Sequence, residues 1–190
     1  MEKSGDLSQL KGKFLIAMPG MGDPRFEHSV VYMCDHSNAG SMGLIINKPV
    51  ERGSFDELCS QLSIDNDVGR DVPVLFGGPV ETARGFVIHS RDFVSANSTQ
   101  ELGETLSLTS TRDIIEAMAG SKIPLEAGIF MGYAGWSSGQ LEEEISANGW
   151  LVGELGEGIV LETNNTDKWA KALNEMGIDA SFLSGSFGHA

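Results

Sequence analysis

Apolar residues fall along this chain in short runs, separated by glycine, proline and small polar residues. Residues 14–18, Phe-Leu-Ile-Ala-Met, stop at Pro19-Gly20 and read as a buried strand. Residues 29–34 and 42–47 are two further runs, joined by a turn-rich segment from Asp35 to Gly40. Strand, short polar turn and strand together predict a β-hairpin. Pro49 ends the second strand, because proline cannot donate to the ladder.

The period then changes. Phe55, Leu58, Cys59 and Leu62 lie at i, i+3, i+4 and i+7, which predicts a helix over 54–62. Ser54 is its expected N-cap, with Glu57 completing a capping box. Residues 72–76 and 85–89 read as strands linked through Gly77-Gly78-Pro79, and 106–109 as a short strand. Ser110 to Asp113 opens a helix with Ile114, Ile115 and Met118 on one face and Gly120 at its close. Residues 127–131 predict a strand and 139–145 a helix, stopped by Asn148-Gly149. Residues 150–152 and 158–161 are late strands. Thr166 is expected to cap a final helix with Trp169, Leu173 and Met176 inward and Gly177 as its C′ residue.

About eight strands and four helices result. They predict an α/β fold: a single domain over 1–190, an α/β sandwich with a mixed, largely antiparallel sheet and four or more helices. The start, Met1 to Asp6, is polar and mixed in charge, and residues 1–12 are expected to be a flexible N-terminus. Composition supports one folded domain, since 41% of the 190 residues are apolar. The 24 glycines anticipate tight turns and close backbone approaches.

Charge narrows the functional classes. Lys and Arg number 13 against 27 Asp and Glu, a net charge of −14. Direct binding to nucleic acid and a polybasic membrane contact are both disfavoured. The excess is uneven: residues 1–122 hold 11 basic and 17 acidic side chains, residues 123–190 hold 2 and 10. No apolar run reaches the ~7–15 residues of a secretory core or the ~20 of a membrane span. A cytoplasmic location is therefore expected. Cys34 and Cys59 stand outside any C-x-x-C pattern, and two buried reduced thiols are the expectation. They remain candidate redox thiols, because their distance in space is not readable from spacing.

Candidate chemistry is sparse. Gly135-Trp136-Ser137-Ser138-Gly139 fits G-x-S-x-G between a predicted strand and helix, where a nucleophile elbow would present Ser137. Such a serine hydrolase needs a downstream histidine, and His189, next to last, is the one available. The plainer reading is a strand-to-helix turn with Ser137 or Ser138 as cap. Asp65 to Asp71 is similar to a calcium loop, but Phe76 takes the place of the bidentate glutamate. His28, His36, His89 and His189 have no metal-ligand spacing, and no metal or cofactor is expected. Gly20-Met21-Gly22 lacks the third glycine of a phosphate loop. Glu142, Glu143 and Glu144 fit the first turns of a helix, where acids complement its dipole.

Several motifs together are distinctive. Met18-Pro19, Asp23-Pro24-x-Phe26-x-x-Ser29, His36, Gly40-x-Met42-Gly43 and Asn47-Lys48-Pro49 come first. Gly77-Gly78-Pro79, Arg84-Gly85-Phe86, Thr109 to Asp113, Gly132-Tyr133-Ala134, Trp136, Gly139-Gln140-Leu141-Glu142 and Gly188-His189-Ala190 follow. Over nearly the whole chain this pattern resembles the AlgH/YqgE family of bacterial proteins. The resemblance implies an α/β sandwich around a mixed sheet and a role in gene regulation, a description resting on effects on gene expression. It implies no catalytic set, and its pattern does not require serine at Ser137.

These observations lead to an expected non-enzymatic regulatory or binding module. It would act indirectly on gene expression through a protein or small-molecule partner. The candidate surface comprises Asn47, Lys48, Pro49, Gly77, Gly78, Pro79, Gly132, Tyr133, Trp136, Gly139, Gln140 and Glu142, with the aromatic pair as anchors. The alternatives are a direct DNA-binding regulator and a small serine hydrolase using Ser137.

Overall fold

The computed structural model describes residues 9–95, 98–161, 164–179 and 183. Within them lie the strands β1 (Phe14–Ala17), β2 (Val30–Ser37), β3 (Gly40–Ile45), β4 (Val74–Phe76), β5 (Val80–Ser90), β6 (Gln100–Glu101), β7 (Leu106–Thr109), β8 (Ala127–Ser137) and β9 (Trp150–Gly153). The helices are α1 (Phe55–Gln61), α2 (Arg112–Gly120), α3 (Gln140–Ser146), α4 (Gly158–Leu161) and α5 (Lys168–Glu175), with a 3-10 turn at Pro24–Phe26. The nine strands form one sheet in the order β6-β7-β5-β8-β3-β2-β1-β9, and β4 pairs with β8 off that path. Only the β4–β8 pairing is parallel. The α/β class and the mixed, largely antiparallel sheet are as the sequence predicts.

Strand β8 joins the two halves of the sheet. Its first half pairs with β5 and β4, Ile129 standing opposite Val87 and Val74. Its second half pairs with β3, Ala134 opposite Gly43 and Trp136 opposite Ser41. The change of partner falls at Gly132, whose φ of +70° suits glycine. Gly77 fills the gap: its N–H donates to the Met131 carbonyl and its carbonyl accepts from the Ile45 N–H, both at 2.8 Å. A Cβ on Gly78 would overlap the Tyr133 carbonyl, so the Gly77-Gly78 pair lets two backbones touch.

The apolar runs are nearly continuous because the central strands are buried on both faces. Phe14, Ile16, Val30, Tyr32, Leu44, Phe86, Ile88 and Phe130 face a central core that α4 and α5 close with Ile159, Val160, Ala172 and Leu173. Their neighbours Leu15, Ala17, Val31, Met33, Ile45, Ala134 and Trp136 face a second cluster with Leu141 of α3. Val87 and Ile129 face a third, beneath Phe55 and Cys59 of α1 and Ile114, Ile115 and Met118 of α2. Alternation of period two thus places side chains in different cores.

Several local expectations need correction. Residues 158–161 form helix α4, not a strand: the Ile159 and Val160 amides donate back to Gly156 and Glu157. A short apolar run is compatible with either state, and here packing into the central core decides it. Strand β8 continues six residues past Met131 to Ser137, so Ser137 ends a strand rather than sitting on an elbow. Helix α3 is preceded by Gly139 at φ +77°, and neither Ser137 nor Ser138 caps it. Helix α2 starts after Thr111 and ends with Ser121 at the C-cap, its hydroxyl donating to the Ala117 carbonyl. Asp167, not Thr166, precedes α5, without a side-chain cap. The Ser54–Glu57 capping box is present as predicted, and Gly177 follows α5 at φ +75°.

Candidate functional site

A cleft of about 740 Å³ is bounded by loop 19–26, Pro79-Val80, Gly135-Trp136 and segment 140–149. Two turns and one strand set its walls. Asp23 caps the 3-10 turn by accepting from the Arg25 amide, and Pro24 occupies the first helical position. The Asp23 carboxylate also takes the Arg25 guanidinium at 2.6 Å, which holds its pKa below the usual carboxylate range. Lys48 reaches under this loop and donates to the Arg25 carbonyl at 2.6 Å. Partial burial lowers the Lys48 pKa.

Beneath the cleft lies a clamped carboxylate. Glu144 Oε2 accepts the indole N–H of Trp136 at 2.9 Å and that of Trp150 at 2.8 Å. Glu144 Oε1 accepts from Gln140 Nε2 at 3.0 Å, while Gln140 Oε1 takes the Ser137 amide at 3.0 Å. Trp136 and Trp150 meet edge-to-face at 5.9 Å, and Phe26 extends the row on Trp150 at 5.6 Å. Sequence supplies this geometry simply. Trp136 is the last residue but one of β8, Trp150 begins β9, and Glu144 is one helical turn after Gln140 on α3. Indole nitrogens only donate and a carboxylate only accepts, so one acid satisfies both rings.

The expected surface therefore divides. Pro79, Trp136 and Gln140 line the cleft. Asn47, Lys48 and Pro49 support it from behind. Asn47 Oδ1 accepts from the Val30 amide at 2.9 Å, its Nδ2 donates to the His28 carbonyl at 2.8 Å, and Pro49 bridges to Leu75. Gly77, Gly78 and Gly132 form the backbone seam, and Gly139 provides the turn into α3. Tyr133 lies in a separate concavity of about 380 Å³ with Ser41, Met42, Arg84 and Phe86. Glu142 turns away toward His36, 3.7 Å from its Nε2, and His36 Nδ1 bonds Ser41 Oγ at 2.7 Å.

The sequence reading missed loop 19–26, Glu144 and Asn148-Gly149 as parts of one site. In sequence Glu144 fits a dipole complement alongside Glu142 and Glu143, whereas in the fold it is the one facing the tryptophans. The usable signal was spacing: Trp136, Gln140, Glu144 and Trp150 flank one short helix.

Chemically, the cleft suits binding. It mixes apolar surface from Met21, Phe26, Pro79, Val80 and Trp136 with polar groups from Gln140, Asn148 and Arg25. Among the described residues its lining has no serine, cysteine or histidine, and both carboxylates there are already engaged. Ser137 ends β8 at the surface, and the described histidines pair elsewhere: His36 with Ser41 and His89 with Thr109, while His28 meets Trp169 edge-to-face. His189 lies outside the described residues. Cys34 is in the central core and burial pushes its thiol up to about 12. Cys59 is in the α1–α2 core, its pKa also raised by burial. Both are free thiols in different clusters, and burial disfavours the thiolate that redox chemistry requires. Among the described residues no group of three His, Cys, Asp or Glu could hold a metal ion. None of their helices is long and apolar enough to cross a membrane.

A family model described as AlgH-like matches residues 14–181. The chain belongs to the AlgH-like family. Among its AlgH-like relatives, the UPF0301 protein of Ruegeria pomeroyi is 46% identical over 183 residues, covering 95% of this chain and 99% of that one. The UPF0301 protein of Paracoccus denitrificans is 45% identical over 186 residues, covering 96% and 98%. The solution structure of the AlgH protein from Pseudomonas aeruginosa superposes with a TM-score of 0.78 at 37% identity, over 100% of both chains. A crystal structure from Corynebacterium diphtheriae gives 0.71 at 19% identity over 98% and 95%, which speaks to the fold alone. The family resemblance read from the motifs is thereby established. The last of those motifs, Gly188-His189-Ala190, lies outside the described residues.

Proposed function

We propose that this AlgH-like protein is a binding module whose cleft over Glu144 takes a small-molecule or protein partner, and that any effect on gene expression passes through that partner. The observation that carries this reading is the rigid floor of the cleft. One carboxylate fixes two indole N–H groups and a glutamine amide, so the aromatic row is held in place before any ligand arrives. Preorganised aromatic surface beside a few placed polar groups is what binding sites use. The engaged carboxylates and the absence of a nucleophile among the described lining residues favour binding over catalysis. The net charge of −14 disfavours direct contact with DNA.

Val80 lies on the cleft rim and is 36% exposed, so Val80→Arg fills the mouth without entering a core. Affinity capture from bacterial lysate, read for co-purifying proteins and metabolites, compares the native chain with this variant. Partners that depend on the cleft are lost from Val80→Arg. Equal recovery by both chains contradicts the assignment.

A further inference from the structure

Lys168, the first residue of α5, is 2% exposed. Its ammonium donates to the carbonyls of Ile46 and Val160, each at 2.7 Å. No described carboxylate lies within ion-pair distance of it, and its neighbour in sequence, Asp167, is exposed. An ammonium has three donors, and two are used. Carbonyl dipoles offset only part of the cost of burying a full charge.

Beside Lys168 is a cavity of about 360 Å³, lined also by Leu75, Val160, Leu161, Asn164 and Asn165. It shares no lining residue with the cleft over Glu144. The first turn of α5 begins at this cavity, and Asp167 makes no side-chain cap to its amides. The feature of this cavity that points to an anion is the Lys168 ammonium in its lining, with one donor left over by its two described carbonyl partners.

We propose that this cavity is a second ligand site, for a small oxyanion such as a carboxylate or phosphate monoester, with Lys168 as the charged contact and Asn165 as a polar one. The leucine and valine walls suit a short apolar body behind the anionic group. The anion supplies the countercharge that no described carboxylate gives Lys168. Burial lowers the free Lys168 pKa to about 8, so above that pH much of the amine is neutral. A bound anion favours the ammonium, and binding then takes up a proton.

Isothermal titration of the full chain with inorganic phosphate, and separately with acetate, tests this against sodium chloride at matched ionic strength. Saturable binding of either anion is expected. Affinity falls by about tenfold or more in Lys168→Met, the scale of one lost charged hydrogen bond. At pH about 9, titrations in buffers of different ionisation heat show proton uptake in the native chain. Asn165→Leu keeps the lysine and weakens binding by a smaller factor. If Lys168→Met does not fold, side-chain ¹⁵Nζ resonances of the native chain give the same answer, since Lys168 must shift on anion addition. The proposal is overturned if neither anion binds at tens of millimolar, if Lys168→Met binds as well as the native chain, or if the Lys168 resonance stays unmoved.

Discussion

Glu144 shows how much one side chain can organise. Its two oxygens collect the indole N–H groups of Trp136 and Trp150 and the Gln140 amide, tying the end of β8, the start of β9 and the middle of α3 to one point. Trp136 is 6% exposed and Trp150 3%, so neither indole finds ready water if the acid is removed. Each orphaned buried donor costs about 1–3 kcal/mol. Glu144→Ala is therefore expected to destabilise the protein by about 2–4 kcal/mol, a fall in Tm of roughly 4–16 °C for a domain of this size. Differential scanning calorimetry reads it. Glu143→Ala, exposed and one residue away, is the control and should leave Tm nearly unchanged. Equal behaviour of the two variants would reduce the clamp to a surface contact.

Secondary elements differ in how far their sequence determines them. Helix α1 was legible throughout, because its apolar stripe and the Ser54–Glu57 box agree. Ser54→Ala is expected to cost about 1 kcal/mol, as caps generally do. The seam at Gly77-Gly78 and Gly132 should be far less forgiving. Gly78 sits at φ +154° with its α-carbon against the Tyr133 backbone, so Gly78→Ala meets strain and overlap together. That variant should lose at least about 2–3 kcal/mol or fail to accumulate as folded protein, measured by thermal melts and soluble yield. A mild Gly78→Ala would mean that the β3–β8 seam is not tightly packed.

The same elements explain what could not be read. Residues 158–161 are apolar enough for a strand, and only the central core and the hydrogen bonds of Val160 with Glu157 and Lys168 make them helical. Strand β6 is two exposed residues, Gln100 and Glu101, with no apolar signal at all. In the sequence, Gly-Pro motifs point to the candidate surface. Most of these proved to be backbone seams, since glycine marks close approach as readily as it marks a ligand. Pro79, Trp136 and Gln140 were legible. Loop 19–26 and Glu144 were not, because their proximity arises from the β1–β9 pairing, which sets Ala17 opposite Trp150 across well over a hundred residues of chain.

At the scale of the whole molecule, the acidic surplus disfavours contact with phosphate backbones and accords with the binding role proposed for the cleft over Glu144. Of the 13 basic residues only two, Lys168 and Lys171, fall after residue 122, and Lys168 is buried. The central claim concerns the cleft over Glu144. ¹H–¹⁵N spectra of the labelled chain, titrated in turn with the small-molecule and protein fractions of a bacterial extract, test it most directly. One of the two fractions is expected to shift the Trp136 indole N–H together with the amides of Met21, Gly22, Gly135 and Asn148, while the Ile114 and Ile115 amides under α2 stay in place. Spectra unmoved by either fraction, or shifts confined to residues outside the cleft, would contradict the account.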